Sequence, residues 1–456
     1  MDKNTEKMMI NPPFEKSDKN LSVILAAGHG KRIKSTTSKM LHKIWGEPTV
    51  SCVVNAAASG LASPNQIVVV GIKAEEVAAG VGKTPNRIFA MQSEQHGTGH
   101  AVQVALEQIP GGGYSGDIYI FPGDMGLLQA EDIQAFQRAF SSSDSDMMVL
   151  TGIYRGEAQG NYYGRIIRVP VSDVHGDSAG EDANKVIEIK EHKDILKLGD
   201  NQSYQVSYQG KTYAFSKQAL LDIREFNSGV FAFKAEKLFK YINALNTDNA
   251  QGELYITDLI SIFNQSGLAV NAEAALNDNS TLGFNTKSVL QEMNEIALGR
   301  VYDRLKDIIL IEDPKDFFLS DDMVSQIIAL DKNEAPIDMS LGKGARIGAG
   351  AKVSKGLQMG RAAQINGNVT VGKNCCIGDE VVVKGAEKKP SILGDNVIVD
   401  GKSYLTGCIV EAGMIVEHCV LVNKRIKRRV NSDGVAKPIR FVMENPDGTD
   451  VIEELK

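Results

Sequence analysis

An α/β chain in two parts is predicted: a Rossmann-like, largely parallel sheet flanked by helices, followed by a parallel β-helix. Two observations predict it. Strand-like and helix-like segments alternate from residue 21 to about 285, the order that winds a parallel sheet between helices. From Leu341 onward the period changes, and an aliphatic or similar residue recurs every six positions, as in a solenoid rather than a second globular core. The length of 456 residues is too great for one core and agrees with two or three domains.

The sheet elements follow in order. Short apolar, β-branched runs at 22–26, 67–71, 87–90, 117–121, 147–153 and 229–233 read as strands, since a strand buried on both faces shows a continuous apolar run. Helical patterns lie between several of them, as at 99–108 and 131–140. Polar, Gly- and Asp-rich stretches at 172–184 and 198–211 read as excursions from the core. Residues 287–306 read as one connecting helix, with Leu290, Met293, Ala297, Val301 and Leu305 on one face, and 307–335 has no clear pattern. The hexapeptide positions are Leu341, Ile347, Val353, Met359, Ile365, Val371, Ile377 and Val383. The phase resets at Leu393-Gly394 after Lys388-Lys389-Pro390, and Val399 and Leu405 continue it. Three six-residue faces would close each coil around an aliphatic stack.

Composition bounds the rest. A net charge of −7 and a pI near 5.7 give no global sign of nucleic-acid binding. The basic run from Lys424 to Arg429 reads as a solvated patch. Five cysteines, an odd number without metal-ligand spacing, fit a reducing cytoplasm. No stretch approaches the roughly 18 apolar residues of a membrane span. The first 20 residues are polar, contain Pro12-Pro13 and lack the apolar core of a signal peptide.

The chemistry concentrates in a few segments. Leu25, Ala26, Ala27 and Gly28 end the first strand, and Gly30, Lys31, Arg32, Lys34 and Lys39 follow. Glycines after a buried strand allow a tight turn and a close ligand approach, and backbone N–H groups with nearby cations suit a polyphosphate. An ordinary strand-to-helix turn with a basic outer face fits the same residues. The segment Gln92-Ser-Glu-Gln-His-Gly97-Thr98-Gly-His100-Ala101 opens a helix, with free N–H groups at Gly97 and Thr98; His100 reads as packing. Asp124, after Gly123 at a strand end, is either a turn former or a magnesium ligand.

In this order and at these spacings the motifs resemble bacterial N-acetylglucosamine-1-phosphate uridylyltransferase, the N-terminal half of a bifunctional uridylyltransferase/acetyltransferase family. The resemblance rests on Leu25-Ala-Ala-Gly28-x-Gly30-x-Arg32 with Lys39, the Gln92–Ala101 segment, Gly123-Asp124, Tyr163-Gly164-Arg165-Ile166, Glu188-x-Lys190-Glu191, Asn227-Ser-Gly229 and Asn285. Three departures stand out: Lys31 where threonine is common, Ser38 for the proline before Lys39, and Pro122 with Met125-Gly126 around Gly123-Asp124.

The resemblance implies a nucleotidyltransferase domain over 21–286 between a flexible tail at 1–20 and a helical connector at 287–335. A β-helix of the left-handed type would follow at 336–435, then a C-terminal tail at 436–456. Leu25, Ala26, Ala27, Gly28 and Thr98 would bind the nucleotide, with Gln92 and the Gly97 backbone reading the uracil edge. Arg32 and Lys39 would neutralise phosphates, and Asp124 and Asn285 would hold Mg²⁺. Gly123, Gly164, Glu191 and Asn227 would bind the sugar, while Gln251–Asp258 would be structural. The implied substrates are UTP and an amino-sugar 1-phosphate, with no nucleic-acid or membrane partner. The implied product is UDP-N-acetylglucosamine, made by a cytoplasmic homotrimer. Glucose 1-phosphate, N-acetylgalactosamine 1-phosphate, or a catalytically silent UDP-sugar-binding protein are the alternatives. An acetyltransferase site is not expected: the only histidine beyond His192 is His418, without the flanking motifs of that half.

Overall fold

The computed structural model describes residues 20–28, 30–109, 113–200, 202–428, 434, 439–440 and 452–455. Both expected tails, 1–20 and 436–456, lie largely outside these residues. The chain divides into two compact units, one ending at Met293 and one beginning at Asn294.

The first unit is built on one mixed sheet. Its strands are β1 (Leu21–Ala26), β2 (Gln66–Val70), β3 (Arg87–Met91), β4 (Ile118–Pro122), β5 (Met147–Ile153), β6 (Arg165–Arg168), β7 (Val186–Lys190), β8 (Glu225–Phe233) and β9 (Val270–Ala274). The main path runs β9-β5-β8-β4-β1-β2-β3. All its pairs are parallel except the two made by β8, which runs antiparallel between β4 and β5. β6 and β7 pair with each other and extend from β8 at Phe226. From β1 the chain winds outward through β2 to β3 and then crosses back to place β4 on the other side of β1. A crevice forms at the carboxyl ends of strands at such a reversal.

Alternate side chains of each strand bury into opposite layers. Val23, Ile67, Ile88 and Ile120 pack on one face with the helix Thr98–Leu106. Ile24, Val68, Phe89 and Phe121 pack on the other with the helices Thr49–Gly60 and Ala130–Ser141. The two insertions expected as excursions take form here. Ser203–Tyr208 and Lys211–Ser216 make an antiparallel hairpin, and its Tyr208 and Tyr213 join Ile167, Ile187 and Ile195 in a separate small core.

The second unit is a parallel β-helix of three sheets. Leu341, Met359 and Ile377 stack in register at intervals of eighteen residues, three hexapeptides to a coil. Ile347, Ile365 and Val383 do the same on the next face, and all six side chains are buried. The segment 287–335, expected as a helical connector, holds the helices Lys287–Leu305 and Asp321–Glu334. It also holds two short strands, Leu310–Ile311 and Phe318–Leu319, which pair with the coil that follows. The basic run expected as a solvated patch includes the strand Lys424–Ile426, where Lys424 meets Glu454 and Arg425 meets Glu411. Among the described residues no helix is long and apolar enough to cross a membrane.

Candidate functional site

A cavity of about 400 Å³ opens where β1 and β4 end. Leu25, Ala27 and Gly28 form the wall that continues β1, and Pro122 and Asp124 the wall that continues β4. Gly123 N–H donates to the Leu25 carbonyl at 3.0 Å and fixes one turn against the other.

At one end of this cavity three predicted residues meet. The Lys39 ammonium donates to Asp124 Oδ2 and, at 2.9 Å, to Asn285 Oδ1. Lys39 is only 8% exposed, although it follows a run of cations. Its stem crosses directly under Gly30, where a Cβ would come within 2.7 Å of Lys39 Cβ. Gly30 has φ +60, so glycine is needed there for both space and conformation. Asn285 is delivered by its neighbour Phe284, which is fully buried and places its ring 5.4 Å from the ammonium. The two oxygens converge on one point already occupied by a cation. Hard oxygen donors in this arrangement suit a magnesium ion that draws its other ligands from phosphate and water. Among the described residues no group of three or more His, Cys, Asp or Glu side chains is placed to hold a metal by itself.

The far wall comes from the loop after β3. Gln92 is almost fully buried. Its Nε2 donates to the Gly97 carbonyl at 3.1 Å and lies 3.1 Å from His100 Nδ1. Gly97 has φ +107, and a Cβ there would stand 2.5 Å from the Leu254 carbonyl, so the loop tolerates only glycine. Gln95 donates from Nε2 to the Ala27 carbonyl and ties this loop to the β1 turn.

A third wall carries acidic and amide groups. β8 changes register between Asn227 and Val230, a bulge that re-aims side chains, and Asn227 lines the cavity there. Gly229, at φ +85, passes against Pro122. Asn227 N–H donates to the Gly164 carbonyl at 2.9 Å. Gly164 leaves room for Glu191, whose Oε1 would be 2.9 Å from a Cβ at that position. Burial, reinforced by the charges of Asp194 and Asp258, pushes the Glu191 carboxyl up to about 7. Burial followed by the charge of Asp124 pushes Tyr163 up to about 12. The loop before β6 is clamped by Arg165, fully buried, which donates to the carbonyls of Tyr163 and, at 2.7 Å, of Asn161.

Of the residues singled out from sequence, Leu25, Ala27, Gly28, Gln92, Gly97, Thr98, Asp124, Glu191 and Asn227 line the cavity. Lys39 reaches it through Asp124, and Asn285 through Lys39. Ala26 is buried behind the wall, and Gly123 and Gly164 support Leu25 and Glu191 from outside it. Arg32 is exposed on the single turn Lys31–Ile33 and is not among the lining residues. Gln251–Asp258, expected to be structural, contributes Gln251, Glu253, Tyr255, Ile256 and Thr257 to the wall. Its chain distance from the phosphate motifs hid this, while Leu254 N–H bonding to the His96 carbonyl at 2.7 Å brings it there. Gln95 was the signal missed inside a segment otherwise well read.

Residues 22–195 match the family described as the MobA-like NTP transferase domain. The chain is also similar to proteins named bifunctional protein GlmU. One from Exiguobacterium sp. is 34% identical over 304 residues, 66% of this chain and 58% of that protein. One from Streptomyces griseus is 36% identical over 284 residues, 62% of this chain and 51% of that protein. One from Heliobacterium modesticaldum is 29% identical over 440 residues, 95% of this chain and 82% of that protein. Against the first two, the matched segment spans between half and three-fifths of the relative's length. The chain is therefore GlmU-like, and the resemblance drawn from its motifs is borne out.

Proposed function

We propose that the protein is a Mg²⁺-dependent uridylyltransferase. It would transfer UMP from UTP to N-acetylglucosamine 1-phosphate, releasing pyrophosphate. The observation that carries this reading is one cavity bordered by the polar cluster of Lys39, Asp124 and Asn285 and by the buried Gln92 amide. The similarity to GlmU proteins supports it.

The reaction asks for position and charge more than for a nucleophilic side chain. The attacking atom is a phosphate oxygen that is already ionised, so no general base is required. In-line transfer then depends on holding two phosphates together and offsetting their charge. Lys39 provides a buried positive charge. Asp124 and Asn285 are the residues that would hold magnesium. A bound magnesium ion would supply Lewis-acid charge stabilisation at the phosphates. Arg32, exposed on its turn, would meet the outer phosphates of the triphosphate. Glu191 and Asn227 would bind sugar hydroxyls, with Gly164 allowing close approach.

Pyrophosphate release from UTP and Mg²⁺ across a panel of sugar 1-phosphates tests the reading. The expected result is turnover with N-acetylglucosamine 1-phosphate above glucose and N-acetylgalactosamine 1-phosphates. Turnover only with another sugar would reassign the acceptor, and no turnover with tight UDP-sugar binding would make the protein a binder. The β-helix is proposed to assemble the chain as a homotrimer, as the family resemblance implies.

A further inference from the structure

Gln92 has one amide group and two faces to serve. Its nitrogen carries two protons, and the structure supplies an acceptor for each: the Gly97 carbonyl at 3.1 Å and His100 Nδ1, also at 3.1 Å. A carbonyl oxygen can only accept, so the Gly97 contact alone fixes which end of the amide is nitrogen. His100 can take the second proton only as a neutral ring with Nδ1 unprotonated, the ordinary Nε2–H tautomer. Both N–H groups of Gln92 are then committed inside the protein. The remaining amide atom is Oε1, and no hydrogen-bond donor meets it among the described residues. Gln92 lines the cavity, so what it offers a ligand is an acceptor. The Gly97 N–H, which has no acceptor among the described residues, adds a donor from the next position on the same wall.

We propose that His100 is a specificity-determining positioning residue. By accepting from Gln92 Nε2 it holds the amide oxygen toward the cavity, so that the site selects a base with a ring N–H, an imide such as uracil, against cytosine. The inference rests on the reading of a pyrimidine at Gln92. Its chemistry is direct. The uracil ring N3–H would donate to Gln92 Oε1, and a flanking carbonyl would accept from Gly97 N–H. Cytosine has a lone pair at N3, so its approach sets two acceptors face to face. It could be accommodated only by an amide turned over, with Nε2 toward the base. Turning the amide forfeits the hydrogen bond to Gly97 and points Oε1 at a carbonyl, and it keeps the His100 contact only if the ring shifts from its ordinary Nε2–H tautomer to Nδ1–H. His100 thus contributes one of two bonds that oppose the turn. A net hydrogen bond of about 1 kcal/mol corresponds to a loss on the order of fivefold in selectivity when it is removed. A site built to hydrogen-bond one edge rejects its mismatch because buried polar groups are left unpaired.

The test measures UTP and CTP binding by titration calorimetry with Mg²⁺, using the full chain, so that no sugar acceptor need be known. In the wild type UTP binds more tightly than CTP. His100→Ala lowers the UTP/CTP affinity ratio on the order of fivefold, whereas His100→Asn, whose amide oxygen falls near the position of Nδ1, restores it. A packing role would weaken both nucleotides together and leave the ratio unchanged. Thermal unfolding of both variants confirms that they are folded. If Gln92→Ala collapses the ratio while His100→Ala preserves it, the role of His100 is overturned and the pyrimidine reading stands. If Gln92→Ala also preserves the ratio, no base is read at Gln92, and both fall.

Discussion

Asp124 answers to two demands, and separate substitutions measure each. Its carboxylate is the ion-pair partner of Lys39, and the two side chains are only 15% and 10% exposed. Asp124→Ala would remove the partner and leave a nearly buried ammonium. Breaking a buried pair from one side costs about 3–5 kcal/mol. Here Lys39 keeps Asn285 Oδ1 at 2.9 Å and the Phe284 ring at 5.4 Å, so a loss of about 2–4 kcal/mol is expected. At about 2 °C per kcal/mol for a domain of this size, the first unit's Tm falls by about 4–8 °C. Asp124→Asn keeps an oxygen that accepts from Lys39 but loses the charge that favours magnesium. Its Tm should fall by less than that of the alanine variant, while pyrophosphate release falls on the order of 10²-fold or more. The assays are differential scanning fluorimetry in Mg²⁺-free buffer and coupled pyrophosphate release at saturating Mg²⁺. An alanine variant with unchanged Tm would refute the buried pair. An asparagine variant with wild-type kcat would refute the metal assignment.

Other consequences are as direct. UTP should exceed GTP in kcat/KM, because a purine cannot match an acceptor and donor spaced for a pyrimidine; equal values would refute the base assignment. Burial, with Asp194 and Asp258, raises Glu191 from 4.5 to about 7, so the folded carboxyl keeps its proton where the unfolded chain has released it. That contribution is present at low pH and is lost as pH rises from about 4.5 to about 7, and Glu191→Gln should flatten this part of a Tm-versus-pH curve. In the β-helix, Ile365→Ala removes a fully buried stack member and should cost about 2–5 kcal/mol, read as a shift in denaturant midpoint. Sedimentation at micromolar concentration should show a trimer, and a monomer would refute the assembly.

The legible parts of the sequence share a physical cause. The six-residue period survives because each inward position, such as Ile347 over Ile365, must stay apolar whatever else changes. The β1 turn is readable because Gly30 answers a steric demand that is local in sequence. By contrast, Leu310–Ile311 and Phe318–Leu319 join the β-helix through pairs with later coils, and two-residue strands leave no periodicity to see. Gln251–Asp258 reaches the cavity through contacts with residues about 150 positions earlier, among them Thr98, whose hydroxyl oxygen accepts from Ile256 N–H at 3.2 Å. Its short turn Ile256–Asp258 resembles any helix start. The ion pair of Lys39 with Asp124 was hidden for the same reason: both residues were read as ligand groups, and only the fold shows them as partners of each other.

The last prediction concerns the second unit. The family that the motifs resemble carries an acetyltransferase half, so an acetyltransferase reaction on glucosamine 1-phosphate is the second activity to assay. Such a reaction needs a base to take a proton from the sugar amine as the acyl group arrives. His418 is the one imidazole that the β-helix sequence offers. It sits at a coil corner with φ 52, exposed, with its ring lying over Gly401, where a Cβ would be 2.5 Å from Nδ1. The ring therefore lies against the backbone of the preceding coil, and Cys419 beside it is buried in the stack. Acyl transfer needs an enclosed site that holds two substrates against water, and an exposed corner is a poor place for one. Acetyl-CoA consumption with glucosamine 1-phosphate should stay at the uncatalysed rate. His418→Ala should leave uridylyl transfer unaltered, since the residue belongs to the second unit. Steady acetyl-CoA turnover abolished by His418→Ala would overturn this reading and establish an acetyl-transfer site at that corner.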